Sequence, residues 1–323
     1  MNRNGAAIRF TWPWLTGLIL LTLIPLAASL LLSFTRWDGF SERDIEWVGL
    51  QHYRELLDGV LPADVPAEEV PPPPSHPRFL KAVYNTVVFA ACAAPLGVMA
   101  ALLLAVLLNQ QIKGIAIFRC AYYLPHILGG VGTILIWQWL FNPDVGLINV
   151  TLQWAHGGWA WMAGLLGLEV AAWAPPRWLH SPQWCKPALV LMHLWGSGGA
   201  MLIFLAALQN VPERLYEAAR LDGAGRWRRF RHVTLPQISP VILFNFVVGL
   251  IGAVRVFRPA YLLRHWSQDD GLLFYMVYLY ENAFEDPARL GFASALTWIL
   301  FVVLFVLTLL TVAISRRWVH YED

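Results

Sequence analysis

Apolar positions gather in six stretches of about 20 residues, each nearly free of charge and set between shorter polar segments. They fall near 12–34, 84–108, 121–141, 187–208, 238–257 and 292–314. A helix needs about 20 residues to cross a bilayer's hydrocarbon core, and backbone groups there must bond within their own segment. The pattern therefore predicts six membrane-spanning helices, an all-α polytopic fold, and a single transmembrane domain over 1–323. Pro25, Pro95 and Pro125 are expected to kink or break three of these helices. Arg3 and Arg9 precede the first stretch, which is too long for a signal-peptide core and reads as an uncleaved span.

The most informative polar segment is 209–236, which carries Arg220, Arg226, Arg228, Arg229 and Arg231 between two long apolar runs. It predicts a helix, a turn and a second helix. Asn210 is placed to cap the first helix, with Pro212 in its first turn and Glu213 reaching back as a capping box. Good helix formers follow from Tyr216 to Leu221, and Asp222-Gly223 supplies the stop. Trp227, Phe230 and Val233 recur at three-residue spacing, so the second helix is expected to press that side onto the membrane domain.

Glu217-Ala218-Ala219, then Asp222-Gly223-Ala224, then Val233-Thr-Leu235-Pro236 with Pro240 beyond, resembles the cytoplasmic loop of binding-protein-dependent ABC importer permeases. Val233 stands where the family usually has isoleucine. The resemblance implies a type I ABC importer permease fold. It further implies that 209–236 is a coupling loop docking on an ATPase subunit, with Glu217, Ala218, Ala219, Asp222, Gly223, Ala224, Leu235 and Pro236 as its coupling residues. Further stretches resemble the sugar-permease branch, the maltose and glycerol-3-phosphate type. These are Gly49-Leu50-x-x-Tyr53 followed by Phe79, Asn85 and Thr86; Phe118-Arg119 through Leu124-Pro125; Phe141 to Asn149; and Gly291 to Thr297. The ending, Ser315-Arg-Arg-Trp-Val-His-Tyr321, is similar to the first permease of the carbohydrate pair.

Charge orients the spans. With the N-terminus inside, the cytoplasmic segments hold 12 of the 23 basic residues and five of the 21 acids, over the smaller share of the loop length. That asymmetry predicts both termini and the 209–236 loop in the cytoplasm, and the resemblance implies a bacterial inner membrane protein. On the other side, Val48–Asp58 reads as a short amphipathic helix suited to the membrane surface, and the proline-rich 61–77 as a linker or a docking surface for an extracytoplasmic partner. The loop 142–186 carries Trp154, Trp159, Trp161, Trp173, Trp178 and Trp184, either an interfacial belt or stacking surfaces for sugar.

Inside the spans, polar groups are few. Asn245 should face the bundle interior or a watery path, and Gly196-Ser197-Gly-Gly-Ala200 either packs closely or leaves room for a passage. With Ser294, Asn245 and Ser197 are the candidate residues of a substrate path. His126 reads as a locally hydrogen-bonded histidine or as a proton carrier or ligand, and His193 as one satisfied by a carbonyl.

Composition narrows the class. At 58% hydrophobic and 14% charged, the chain is too apolar for a soluble domain, and a nucleic-acid partner is not expected. Cys92, Cys120 and Cys185 show no metal or redox spacing and read as small buried hydrophobes. All 21 acids fall outside the proposed spans, against an ion-coupled secondary transporter; the lack of a His-Glu-x-x-His pattern goes against a membrane-embedded enzyme. No P-loop signature occurs, so no cofactor is expected and ATP belongs on other subunits. The implied machine pairs this chain with a second permease, two ATPase subunits and an extracytoplasmic solute-binding protein in the lipid bilayer. It would move a carbohydrate or related polyol by alternating access.

Overall fold

The computed structural model describes residues 3–39, 45–58, 76–110, 113–169, 171, 174–285, 289–317 and 319. The proline-rich linker expected at 61–77 lies almost wholly outside them, as does Trp173. Helices dominate: α1 (Arg3–Leu18), α2 (Ile24–Leu32), α3 (Gln51–Asp58), α4 (His76–Leu108), α5 (Ile115–Ile127), α6 (Val131–Leu140), α7 (Leu147–Leu165) and α8 (Cys185–Trp195). They continue as α9 (Gly198–Asn210), α10 (Glu213–Leu221), α11 (Arg226–Arg229), α12 (Leu235–Gln237), α13 (Ser239–Val254), α14 (Arg258–Leu263), α15 (Tyr275–Phe284) and α16 (Leu290–Ser315). The one departure from all-α among the described residues is a two-residue antiparallel ribbon, β1 (Thr35–Arg36) with β2 (Glu46–Trp47).

Four helical stretches are long and apolar enough to cross a membrane: Thr11–Leu32, Arg78–Leu108, Ser239–Trp266 and Leu290–Ser315. Two bent pairs, α5 with α6 and α8 with α9, bring the number to six if each pair is one span. The stretch expected as one helix over 121–141 is thus two, bent by 103°. The break sits at Gly129-Gly130, just past Pro125, and Gly130 has a backbone conformation (φ 119°, ψ −159°) open to glycine alone. Likewise 187–208 bends by 46° at Gly196-Ser197. Pro95 stays inside one helix, α4. At Pro25 the ladder is adjusted by one π turn over Ile19–Leu23, which absorbs the missing N–H without breaking the span.

Clustering of contacts divides the chain into two units. The first comprises 1–80 and 278–306. Here the short α3 is tied down by side chains. Gly49 (φ +58°) turns the chain into it, Tyr53 donates its hydroxyl to Ser33 at 2.8 Å, and buried His52 bonds the Thr35 carbonyl at 3.0 Å. Arg289 holds both oxygens of Glu55 at 2.9 Å and lies 4.2 Å over the Phe292 ring. Gly291 is required at the start of α16 because a Cβ there would overlap the Thr35 carbonyl.

The second unit comprises 81–277 and 307–323. Its core joins α4 to α9: Ala101, Ala105 and Leu108 meet Met201, Phe204, Leu205 and Leu208, with Ile238 alongside. Buried Asn85 donates to the carbonyls of Asp270 and Leu273 at 3.0 and 2.8 Å, and Thr86 Oγ1 accepts the Tyr275 N–H at 2.9 Å. These two side chains on α4 pin the turn before α15, where Asp269 and Asp270 both carry positive φ. The 142–186 segment is not a plain loop, because α7 occupies 147–165 of it. Its root is Asn149, fully buried, which donates to Pro143 and Pro176 carbonyls and accepts from the Trp178 indole.

One prediction concerns the Glu55 clamp. Burial raises the carboxyl pKa, yet the two bonds and the charge of Arg289, with the His52 ring 4.0 Å away, outweigh it and leave it below the ordinary value. A depressed carboxyl pKa stabilises the fold above the unfolded-chain value of about 4.3, and that contribution is lost as pH falls through the folded value. Glu55→Gln is therefore expected to melt below wild type near neutral pH, with the gap closing in acid. Melting in detergent followed by circular dichroism checks this, and a gap that persists undiminished in strong acid contradicts it.

Candidate functional site

The 209–236 segment forms an arm with two legs, each rooted in the α4–α9 core. Val211 and Leu235 pack against that core from either leg. Helix α9 runs through Asn210, so Asn210 is not the cap of α10 and no capping box forms. The reason is Pro212: its ring drives Val211 out of the helical region, to φ −66°, ψ 123°, and Pro212 itself becomes the cap residue. Glu213 is then the first helical residue and Arg220 lies in the last turn, each complementing the helix dipole.

Helix α10 stops on Gly223 at φ +74°. The Ala224 N–H reaches the Ala219 carbonyl at 2.9 Å and the Gly223 N–H the Arg220 carbonyl at 3.0 Å, the paired bonds of a glycine C-terminal cap. Glu217, Ala218, Asp222 and Gly223 are exposed, while Ala219, Ala224, Leu235 and Pro236 are half-buried. Apolar surface is bare at the tip: Leu221 is 90% exposed and Trp227 70%.

The return leg passes through α11, a π turn over Phe230–Thr234, and α12. That turn changes which face is buried. Trp227 does not press onto the unit as its spacing suggests; it stacks on Phe230 at 5.8 Å in the open, and Thr234 is the buried residue. The extra residue of a π turn shifts the helical phase, so three-residue spacing no longer marks one face. Tyr216 on α10 meets Thr234 at 2.9 Å, a hydroxyl pair that ties the legs together.

Two of the proposed path residues, Asn245 and Ser197, lie in the second unit. Asn245 is buried and donates to Val241 on its own helix at 2.9 Å. The Ser197 hydroxyl is buried at the α8–α9 bend without a hydrogen-bond partner, and no hydrogen bond joins it to Asn245. Ser294, half-buried, belongs to the other unit. The glycines around Ser197 serve close packing. A Cβ on Gly198 would overlap the Tyr122 carbonyl, and one on Gly199 would lie 2.8 Å from the ring of His126, so both let α9 meet α5. His126 is exposed and packs on that glycine and on Tyr123 rather than bonding a carbonyl.

His193 is likewise unlike its expected carbonyl-bonded form. Its ring stands edge-on to Phe89 at 6.1 Å and 3.2 Å from where a Gly97 Cβ would be. It borders a cavity of about 200 Å³ beneath the α5–α6 elbow, together with Phe89, Thr133, Ile134, Met192 and Arg258. The tryptophans divide. Trp178 and Trp184 join an aromatic cluster with Phe141, whereas Trp154, Trp159 and Trp161 stand exposed on α7. Cys92 and Cys120 are exposed rather than buried; Cys185 is buried. Among the described residues no group of histidine, cysteine or carboxylate side chains is placed to hold a metal.

Residues 75–320 match the family described as binding-protein-dependent transport system inner membrane component. A probable ABC transporter permease protein of Bacillus subtilis, YesP, is 34% identical over 323 residues, covering 99% of this chain and 93% of its own. LacF of Rhizobium radiobacter, a lactose transport system permease protein, is 29% identical over 250 residues, 75% of this chain and 78% of its own. A chain of a bacterial ABC transporter that imports the acidic polysaccharide alginate shares the fold at a TM-score of 0.72, with 23% identity over 98% of this chain and 99% of the other.

The glycine contact predicts a graded response. Gly198→Val is expected to force α9 off α5 and lower stability by about 1–3 kcal/mol. Gly196→Ala is expected to leave stability near wild type, since a Cβ there has 3.5 Å to its nearest atom. Thermal melting of the two variants in detergent distinguishes them; equal melting would mean that α5 and α9 do not depend on the glycine approach.

Proposed function

The chain belongs to the inner membrane components of binding-protein-dependent transport systems, and on that premise we propose that its 209–236 arm couples a carbohydrate passage to ATP hydrolysis elsewhere. It is a permease subunit of an ABC importer, a membrane-spanning protein of the inner membrane. In the proposed assembly it pairs with a second permease, two ATPase subunits and a solute-binding protein. Both termini and the arm lie in the cytoplasm, in keeping with the arginine asymmetry. The substrate is a carbohydrate or related polyol, as with the lactose permease and the alginate importer it resembles.

One observation carries the coupling role: both legs of an exposed arm are rooted in the same buried core between α4 and α9. The Tyr216–Thr234 bond and the Gly223 cap keep the arm from folding on itself, so a push at the tip moves the core. Exposed Glu217, Ala218, Asp222 and Gly223, beside the bare Leu221, form the surface that docks in an ATPase cleft. Conformational work then passes to the bundle as a shift between two states.

Gly223→Val places a β-branched residue at positive φ, a strain of about 1–2 kcal/mol or more. The expected outcome is normal membrane insertion with loss of binding-protein-stimulated ATP hydrolysis in reconstituted vesicles. Glu217→Lys is expected to behave alike, and Arg226→Ala to stay near wild type. Wild-type stimulation in both of the first two would reduce the arm to a basic tether. A cysteine introduced at Gly225 should react in intact cells with membrane-permeant reagents only, and labelling from outside would invert the proposed orientation.

A further inference from the structure

The cavity beneath the α5–α6 elbow has a chemical bias that its role in a carbohydrate passage does not by itself require. At about 200 Å³ it displaces six or seven waters at about 30 Å³ each, room for one sugar ring rather than a chain of them. Phe89, Ile134 and Met192 make its walls largely apolar. Its polar groups are few and of distinct kinds. Thr133 donates its hydroxyl proton to the Leu128 carbonyl at 3.2 Å, so it presents lone pairs to an occupant. The His193 ring is held by Phe89 and Gly97 and offers a ring nitrogen. Arg258 stands at the margin, and among the described residues no carboxylate lines the cavity to balance it.

An arginine with no counter-charge among the described residues, beside a largely apolar recess, is suited to a planar anion, which its fork can hold through two parallel bonds. A neutral sugar would leave that capacity unused. We propose that the cavity is a subsite for one acidic sugar unit, a uronic-acid-type ring whose carboxylate is held by Arg258. Phe89 and its apolar neighbours take a C–H face of the ring, and Thr133 and His193 take hydroxyls. This rests on the reading of the chain as a carbohydrate permease and adds the charge of what it passes. An anionic lipid headgroup offers the same charge, so the test separates the two sources.

The experiment uses the complete reconstituted importer, with exposed Cys92 and Cys120 replaced by serine and Thr133→Cys as reporter. Alkylation of that cysteine by a maleimide is timed in phosphatidylcholine vesicles with galacturonic acid or its uncharged methyl ester. The expected result is protection by the acid at about tenfold lower concentration than by the ester. Arg258→Gln should erase the difference and Arg258→Lys should keep part of it. Met192→Cys reports from the opposite wall should Thr133→Cys not assemble. Equal protection by acid and ester, or none by either, overturns the proposal. Protection by added phosphatidylglycerol with no effect of galacturonate also overturns it, in favour of lipid. Binding-protein-stimulated ATP hydrolysis in the same vesicles separates the two levels. With stimulation intact, a negative result removes the acidic subsite alone. Without stimulation by any binding protein co-encoded with the chain, the permease reading falls and takes this subsite with it.

Discussion

In hydrocarbon, an exposed leucine costs nothing, so burying apolar side chains does little to choose one helix arrangement over another. What chooses must be close backbone approach and the pairing of polar groups that lipid cannot solvate. This constraint accounts for the uneven distribution of informative residues along the chain. Long apolar faces such as those of α1, α2 and α16 are bare and interchangeable. Specificity is concentrated at Gly198 and Gly199 against α5, at Asn85 and Thr86 under the turn before α15, and at Asn149 under α7. Each such bond contributes little alone, about 0.6 kcal/mol on average between membrane helices. The cost of leaving its partners unpaired is what makes the alternatives unfavourable.

The same logic supports the proposed coupling of the exposed arm to the bundle. Its tip is open, with bare apolar surface at Leu221 and Trp227 beside charge. Its roots, Val211 and Leu235, sit on a core of alanine against methionine, phenylalanine and leucine, where Ala101 and Ala105 bring α4 close to α9. A soft attachment would dissipate motion in side-chain rearrangement. A tightly packed one transmits it, because dense interiors change by discrete repacking rather than continuous deformation.

Much of this was legible in the sequence wherever one residue type has one backbone consequence. Gly223 after Asp222 marked the end of α10 because a left-handed stop favours glycine. The apolar runs marked the helical stretches. Where two local signals competed, the weaker in steric terms misled. Asn210 is a good cap by chemistry, but Pro212 dictates the conformation of the residue between them. The 103° elbow has its signal in Gly129-Gly130, just past the Pro125 at which a kink or break is expected. Helix α7 was hidden because its tryptophans, glycines and amides give it too little hydropathy to stand out, while its root depends on Asn149 meeting a carbonyl 27 residues away. Phase was lost at Phe230–Thr234, since no residue type announces a π turn. Asn245 and Ser197 illustrate the limit for candidate sites: sequence identifies a polar group in an apolar run, and only geometry tells whether its partner is its own helix.

The π turn between the arm and α13 also bears on how such proteins diverge. One residue of helix spans about 100° of rotation and about 1.5 Å of rise. A lineage that deleted a single residue from Phe230–Thr234 would restore a regular helix and swing the return leg by roughly that angle, with α13 left in place. A lineage that retained the residue would keep the arm aimed as it is here. The segment thus works as a vernier between the arm and α13. A change of length there re-indexes one against the other in a single evolutionary step.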